Sequence, residues 1–323
     1  MTRPFRFAVQ SFNAESATQW KDRARAAEDL GYSALHLADH LLGPGPALAK
    51  TNHPPQNLAA VPAIATAAAV TNRLRVGCRV FCVDYRPAVV LIKEAMTLDL
   101  LSDGRLEFGV GAGWLEEEYR AMGFRFDAPG RRIERLGRVI AAYRAFATGE
   151  PLDIANEDVE WRGFAGLPLP LQKPRPPLLI GGGAPRILGL AGREADIVSL
   201  NFNNSSGVIG PVGVKSSLAE ETDRKIGWIR DGAGARFTDI ELEVGAYFTT
   251  VTDAGAAVVK QFAAAFGITE AQMREHPHAL IGSVESIVET LQARRSRYGI
   301  SYVTVPDAAM TAFAPVVAKL AGK

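Results

Sequence analysis

Apolar residues along the chain fall into two alternating rhythms. Short β-branched or aromatic runs recur, each followed by a longer stretch whose apolar positions return every three to four residues. The first rhythm belongs to buried strands, the second to amphipathic helices. Residues 5–9 read as the first strand. The helix after it opens on a capping-box pair, Ser16 and Gln19, and carries Trp20, Ala24, Ala27 and Leu30 at helical spacing before Gly31 stops it. Further strands are predicted over 32–38, 74–83, 105–110, 177–180, 197–200, 240–249 and 302–305. The intervening helices are predicted over 58–70, 88–101, 131–147, 185–190, 254–266 and 284–297. Parallel strands need helical crossovers, and closure removes both sheet edges, so eight such strands predict an α/β fold, the (β/α)8 TIM barrel. An open doubly wound sheet would carry Gly-x-Gly-x-x-Gly in its first βα turn, and no such run stands there.

Two stretches break the rhythm. Residues 151–176 hold Trp161, Phe164 and a proline-rich run, which suggests a hairpin excursion; residues 203–238 are rich in Gly, Ser and charge, with one helical segment at 216–228. A typical barrel needs ~250 residues. The 323-residue length therefore fits one domain, 1–323, with these stretches of 26 and 36 residues as insertions over the C-terminal face. With 36 Lys+Arg against 35 Asp+Glu the formal charge is +1, which argues against nucleic acid or a membrane surface as partner. At 47% hydrophobic and 22% charged residues, overall disorder is excluded. No uncharged apolar run reaches ~18 residues, and the first residues lack the apolar core of a signal peptide. Two cysteines, Cys78 and Cys82, are too few for a disulfide framework, so a reducing cytoplasm is expected.

Barrel sites lie at the C-terminal ends of the strands. Strand two ends in Ala38-Asp39-His40, where an imidazole can exchange a proton near neutral pH with a carboxylate beside it. The same pair also fits a turn cap and a bystander. In strand three, Cys78 and Cys82 lack the Cys-x-x-Cys spacing of a metal site. Arg79 between them needs either an anion at the mouth or a core carboxylate. Strand four ends in Gly109, Gly111 and Gly113, then Trp114, residues 116–118 (all Glu) and Tyr119. Missing Cβ atoms let a ring approach the backbone, and Trp114 suits stacking on a flat cofactor or plugging the barrel top. Gly181, Gly182 and Gly183 before Pro185 set free N–H groups at a helix N-terminus, an anion site by geometry and dipole. No His, Cys or carboxylate cluster has metal-ligand spacing, so no metal is expected.

Together these pieces resemble the luciferase-like monooxygenase superfamily, and within it the coenzyme F420-dependent oxidoreductases. The resemblance is carried by residues 28–32 leading to Ala38-Asp39-His40, by 73–77, 98–106, 109–119, 177–183 and 281–283, and by 294–303 for the F420 branch. It implies a barrel, commonly a homodimer, with a deazaflavin or flavin ring at the mouth and its phosphate on Gly181, Gly182 and Gly183. Asp39, Cys78, Arg79, Val80, Ala112, Gly113, Trp114 and Tyr119 would contact the cofactor, with a non-proline cis peptide around Cys78-Arg79-Val80. His40 matches the histidine beside the hydride-transfer centre of some F420 dehydrogenases. In those sugar-phosphate enzymes a glutamate proton donor stands where this chain has Trp114, so reduction of an activated double bond and FMN-type oxygen chemistry stay open. Gln10, Phe12 and Asn201, with 274–278, are expected on the substrate side. The implied function is an F420-dependent oxidoreductase acting on a small organic substrate. Its alternatives are an FMN-dependent monooxygenase served by a flavin reductase, or a non-catalytic flavin-binding relative.

Overall fold

A computed structural model describes residues 3–323. The chain opens with β1 (Arg6–Ser11) and α1 (Ala17–Asp29), where the Ser16 hydroxyl accepts from the Gln19 N–H. Next come β2 (Ala34–Leu37), α2 (Pro46–Ala49), α3 (Ala60–Ala69), β3 (Arg75–Cys78), β4 (Phe81–Cys82) and α4 (Ala88–Leu101). They lead into β5 (Leu106–Gly111), α5 (Glu116–Met122), α6 (Pro129–Thr148), β6 (Pro151–Ala155) and β7 (Glu160–Ala165). The second half holds β8 (Leu178–Gly182), α7 (Pro185–Glu194), β9 (Ile197–Leu200), α8 (Pro211–Lys215), α9 (Ala219–Ala233), β10 (Glu241–Gly245), β11 (Phe248–Val251) and α10 (Gly255–Phe266). It closes with α11 (Glu270–Glu275), β12 (Ala279–Gly282), α12 (Val284–Tyr298), β13 (Ile300–Pro306) and α13 (Met310–Leu320).

The strands run in the order β3-β2-β1-β13-β10-β9-β8-β5, and β5 pairs back to β3, closing an eight-stranded parallel barrel. The expected TIM barrel is what the chain forms. The predicted third strand breaks at the cis Arg79–Val80 peptide, after which β4 pairs with the upper end of β5. The predicted seventh strand, 240–249, also breaks. Its second part leaves the barrel as β11 and pairs in parallel with β12, which the sequence pattern did not suggest. Helix α13 went unforeseen too, because Pro315 interrupts its periodicity; Phe313, Val316 and Val317 nonetheless pack it into the core.

Inward-facing charges fill the lower barrel. Glu107, 1% exposed, takes bonds from Arg6 (2.7 Å), Arg75 (3.1 Å), His36 (3.1 Å) and Tyr302 (2.8 Å). Helices and outer strand faces supply the apolar core around it.

The two irregular stretches take different places. Segment 203–218 follows a barrel strand, so it lies over the C-terminal face as expected. Its continuation is not irregular: α9 is a full helix packed on α7. Segment 151–176 follows a helix, and αβ connections emerge at the opposite end of a barrel. There β6 and β7 form an antiparallel hairpin against Phe146, while Leu171 and Gln172 bond Asp99 at the end of α4. Only the hairpin turn climbs the outside of α6, where Asp158 meets Arg131, Arg135 and Arg138. The roof over the site comes instead from residues 41–57, tied to the second segment by Ile209 N–H donating to the Thr51 carbonyl (2.9 Å) and Asn52 Nδ2 to the Ile209 carbonyl (3.0 Å).

Candidate active site

The floor of the mouth is built by glycine. A Cβ on Gly109 would lie 2.0 Å from the Cys78 carbonyl oxygen, and one on Gly111 would lie 2.6 Å from Val80 Cγ2. The alternating glycines of β5 thus admit the β3–β4 break and the half-buried Val80 side chain, rather than a ligand directly. Val80 is left as an apolar platform with Gly181 Cα beside it; a Cβ there would sit 3.5 Å from Val80 Cγ1. At the end of β5, Gly113 has φ +68°, and Tyr119 lies so close beneath it that a Cβ would fall 1.8 Å from the phenol oxygen. The Ala112 and Gly113 carbonyls are both gripped by Arg132, at 3.3 and 2.5 Å.

Beside the platform runs a polar layer centred on Arg79. Its guanidinium donates to Glu243 (3.0 Å), Gln10 (2.8 Å) and the Tyr247 hydroxyl (3.2 Å), and Tyr247 donates on to Asn201 Oδ1 (2.9 Å). Of the two partners open at the sequence level, the core carboxylate is the one present. Burial alone would pull the Arg79 pKa down, but Glu243 and Tyr247 outweigh it, so the side chain stays charged with a raised pKa. Asn201 is held from behind by Lys225, whose ammonium donates to the Asn201 carbonyl and to Ser217 Oγ, both at 2.6 Å. With only these neutral acceptors, burial pushes that ammonium down to about 7.

Across the mouth, His40 Nδ1 lies 2.8 Å from Glu118 Oε2, and Glu118 also accepts from Tyr85 (2.6 Å) and the Leu41 N–H (2.5 Å). Burial alone would raise the Glu118 pKa; the His40, Leu41 and Tyr85 donors outweigh it and hold the carboxyl below its usual value. An ionised acceptor fixes the proton on Nδ1, leaving His40 Nε2 as the unprotonated ring nitrogen. Trp114 stands edge-on to His40 at 6.1 Å. His53 from the roof approaches His40 at 4.0 Å, and an open groove of about 580 Å³ runs along the roof with His53 in its wall.

At the third position, β8 turns into α7. A Cβ on Gly182 would meet Ile187 at 2.5 Å, and one on Gly183 would meet the Phe202 and Asn201 carbonyl oxygens at 2.2 and 2.5 Å. Two of the three glycines are therefore explained by packing. The N–H groups of Gly183, Ala184, Arg186 and Ile187 still have no acceptor among the described residues, and Pro185 opens the helix.

Most of the expected site residues converge, and a few do not. Gln10, Arg79 and Asn201 form one bonded chain with Tyr247, while His40, Trp114 and Phe12 surround His53. Asp39 is 4% exposed and spends both oxygens on Arg86 (2.9 Å each) and the Cys82 N–H (3.0 Å). Cys78 and Tyr119 are buried at 1% and 0% exposure, Tyr119 bonded to Asp84 and Cys82. These three buttress the mouth from behind. His276 and His278, from the 274–278 stretch, pack on Phe202, and His278 stacks on Tyr247 at 5.3 Å. Among the described residues no group of three or more His, Cys, Asp or Glu has metal-binding geometry.

The sequence reading missed Glu118, Glu243, Tyr247, Lys225 and His53. Glu118 had a signal: it shares one helix face with Leu115 and Tyr119, an odd place for a carboxylate. Glu243 had another, since strand parity aligns it with Glu241 and Gly245 toward the barrel interior.

The fold has known counterparts. An F420-dependent tetrahydromethanopterin reductase from Methanopyrus kandleri superposes with TM-score 0.74 at 16% identity, covering 99% of each chain. An F420-dependent secondary alcohol dehydrogenase in complex with an F420-acetone adduct gives 0.76 at 14% identity, covering 98% of each. The long-chain alkane monooxygenase LadA gives 0.75 at 14%, covering 99% of this chain and 92% of its own. At such identities the likeness is one of fold. By sequence, an uncharacterized protein of Mycobacterium bovis is 31% identical over 186 residues, which span 54% of this chain and 64% of the relative's length. Residues 3–314, nearly the whole barrel, match the luciferase-like monooxygenase family model, and the chain belongs to that family of oxidoreductases and monooxygenases.

Proposed function

We propose that the chain is an oxidoreductase that uses the deazaflavin coenzyme F420 to move a hydride to or from a small organic substrate. The observation that carries this reading is the His40–Glu118 pair, which sets one carboxylate-backed imidazole nitrogen at the C-terminal end of the barrel. The residues at the mouth fit a flat amphipathic ring: Val80 offers an apolar face, and Gln10, Asn201 and Tyr247 offer hydrogen-bonding edges. The acceptor-free N–H groups at the start of α7 suit its phosphate. When bound, the deazaflavin supplies the hydride acceptor or donor.

Everything else is done by the chain. His40 Nε2 takes or returns the substrate proton, Glu118 holds the ring in one tautomer, and Trp114 walls the reacting centre. The roof of 41–57 and 203–218 excludes water. In this arrangement the carboxylate acts behind the histidine instead of on the substrate, which accommodates Trp114 at the position where the sugar-phosphate F420 dehydrogenases it resembles are expected to carry a glutamate. Adding F420 and FMN separately to cofactor-free protein and following fluorescence tests the reading. Micromolar or tighter F420 binding is expected; tight FMN binding with none for F420 would overturn it in favour of the monooxygenase alternative.

A further inference from the structure

His53 has no part in the reading above, yet it stands among the residues that do. Its ring centroid lies 4.0 Å from that of His40, 6.0 Å from Trp114 and 5.7 Å from Phe12. The backbone around it is held from both sides: its N–H donates to Thr51 Oγ1 (3.1 Å), and its neighbour Asn52 bonds the other roof segment at Ile209.

The state of the ring follows from its contacts. Nδ1 lies 2.7 Å from the Pro54 carbonyl oxygen, which can only accept, so Nδ1 carries the proton. Nε2 of the neutral ring is then an acceptor. Among the described residues that atom has no partner, and it is not among the buried unpartnered atoms, so it is open to a ligand. His40 shows the same polarity with a different backing. Its Nδ1 donates to a buried carboxylate, where His53 has only a backbone carbonyl. Burial, and then the neighbouring His40, hold its pKa down to about 3. One ring can exchange a proton and the other can only accept a hydrogen bond.

We infer that His53 is a specificity-determining residue, whose Nε2 accepts a hydrogen bond from a hydroxyl or N–H of the substrate beside the group whose proton His40 handles. The site then selects small substrates that carry such a donor. A partner lacking it would leave a desolvated lone pair unmatched, and sites built on a polar contact discriminate strongly against analogues without it. The inference rests on the proposed oxidoreductase reading for the meaning of substrate, but its test needs no cofactor.

Side-chain 15N NMR of the cofactor-free protein reads the ring states, and titration with cyclohexanol and its methyl ether, which keeps the oxygen but lacks the O–H donor, reads the donor preference. His53 is expected as the Nδ1–H tautomer, unprotonated at pH 5. The alcohol is expected to bind at least tenfold tighter than the ether. His53→Phe should abolish that difference, and His53→Gln, which restores an acceptor oxygen, should recover part of it. An Nε2–H tautomer overturns the inference, as does equal or undetectable binding of the two probes, or a preference that survives His53→Phe. The tautomer in the unsubstituted chain decides the matter even where His53→Phe does not fold. Failure of both F420 and FMN to bind would sink the proposed function and leave these outcomes readable.

Discussion

Replacing Arg79 by methionine keeps most of the aliphatic bulk and removes the charge at the centre of the mouth. The partner left behind is Glu243, whose side chain is wholly buried and whose Oε1 already lacks a hydrogen bond. Breaking a buried pair from one side costs about 3–5 kcal/mol, because an uncompensated charge remains in the interior. Unfolding entropy near 2.1 cal/mol/K per residue gives roughly 0.7 kcal/mol/K for a chain of this length, so the loss corresponds to a fall in Tm of about 4–7 °C. Thermal and urea denaturation of Arg79→Met would read this directly. Removing both charges, in Arg79→Met with Glu243→Leu, should recover at least half of the loss, since a packed apolar pair avoids the desolvation penalty. Cofactor binding should not recover, because Gln10 and Tyr247 lose their anchor in both variants. A single variant that loses less than about 1 kcal/mol, or a double variant no more stable than the single, would refute the account of Arg79 as half of a buried pair.

Two further outcomes follow from the geometry. Gly183→Ala drives a Cβ into two backbone carbonyl oxygens and should cost about 1–3 kcal/mol, whereas Gly181→Ala meets only ordinary contacts and should stay within about 0.5 kcal/mol by thermal denaturation. His276 and His278 are buried and neutral: burial takes His276 to about 4 and His278 well below its usual value. With His53, held down to about 3, the unfolded chain therefore binds up to three more protons at these histidines once the pH drops below about 6.5; their contribution to stability is full above that point and should fall by about 4 kcal/mol per pH unit around pH 5. Urea midpoints that stay flat from pH 7 to 5 would contradict this.

The barrel was legible because its strands and helices bury local patterns, and a local pattern is what periodicity detects. The breaks were harder. Little in 240–249 marks the point where the strand leaves the barrel, since strand-forming residues run on through Tyr247 and Phe248 and β11 pairs with a partner more than 25 residues ahead. Placement of the insertions required connectivity rather than composition: the proline-rich segment follows a helix, which by itself sends it to the far end of the barrel. Strand-end residues such as His40, Gln10 and Asn201 could be found one at a time, because each terminates its own strand. Their partners could not.

Those partners decide what each strand-end residue does. Asp39 and His40 are adjacent in sequence and invite reading as a pair, but adjacent residues at a strand end point to opposite sides. Asp39 turns away to Arg86, and His40 finds its carboxylate 78 residues later, on a short helix whose three consecutive glutamates look like ordinary N-terminal charge. Only one of the three, Glu118, shares the inward face with Leu115 and Tyr119. The residue that orients His40 is thus the acidic residue on an apolar helix face. It sets a carboxylate behind the imidazole, while Trp114 stands edge-on to the same ring. On the proposed reading, a barrel arranged this way relies on a single mobile proton at His40 Nε2, with the second ring, His53, free to read the substrate instead of reacting with it.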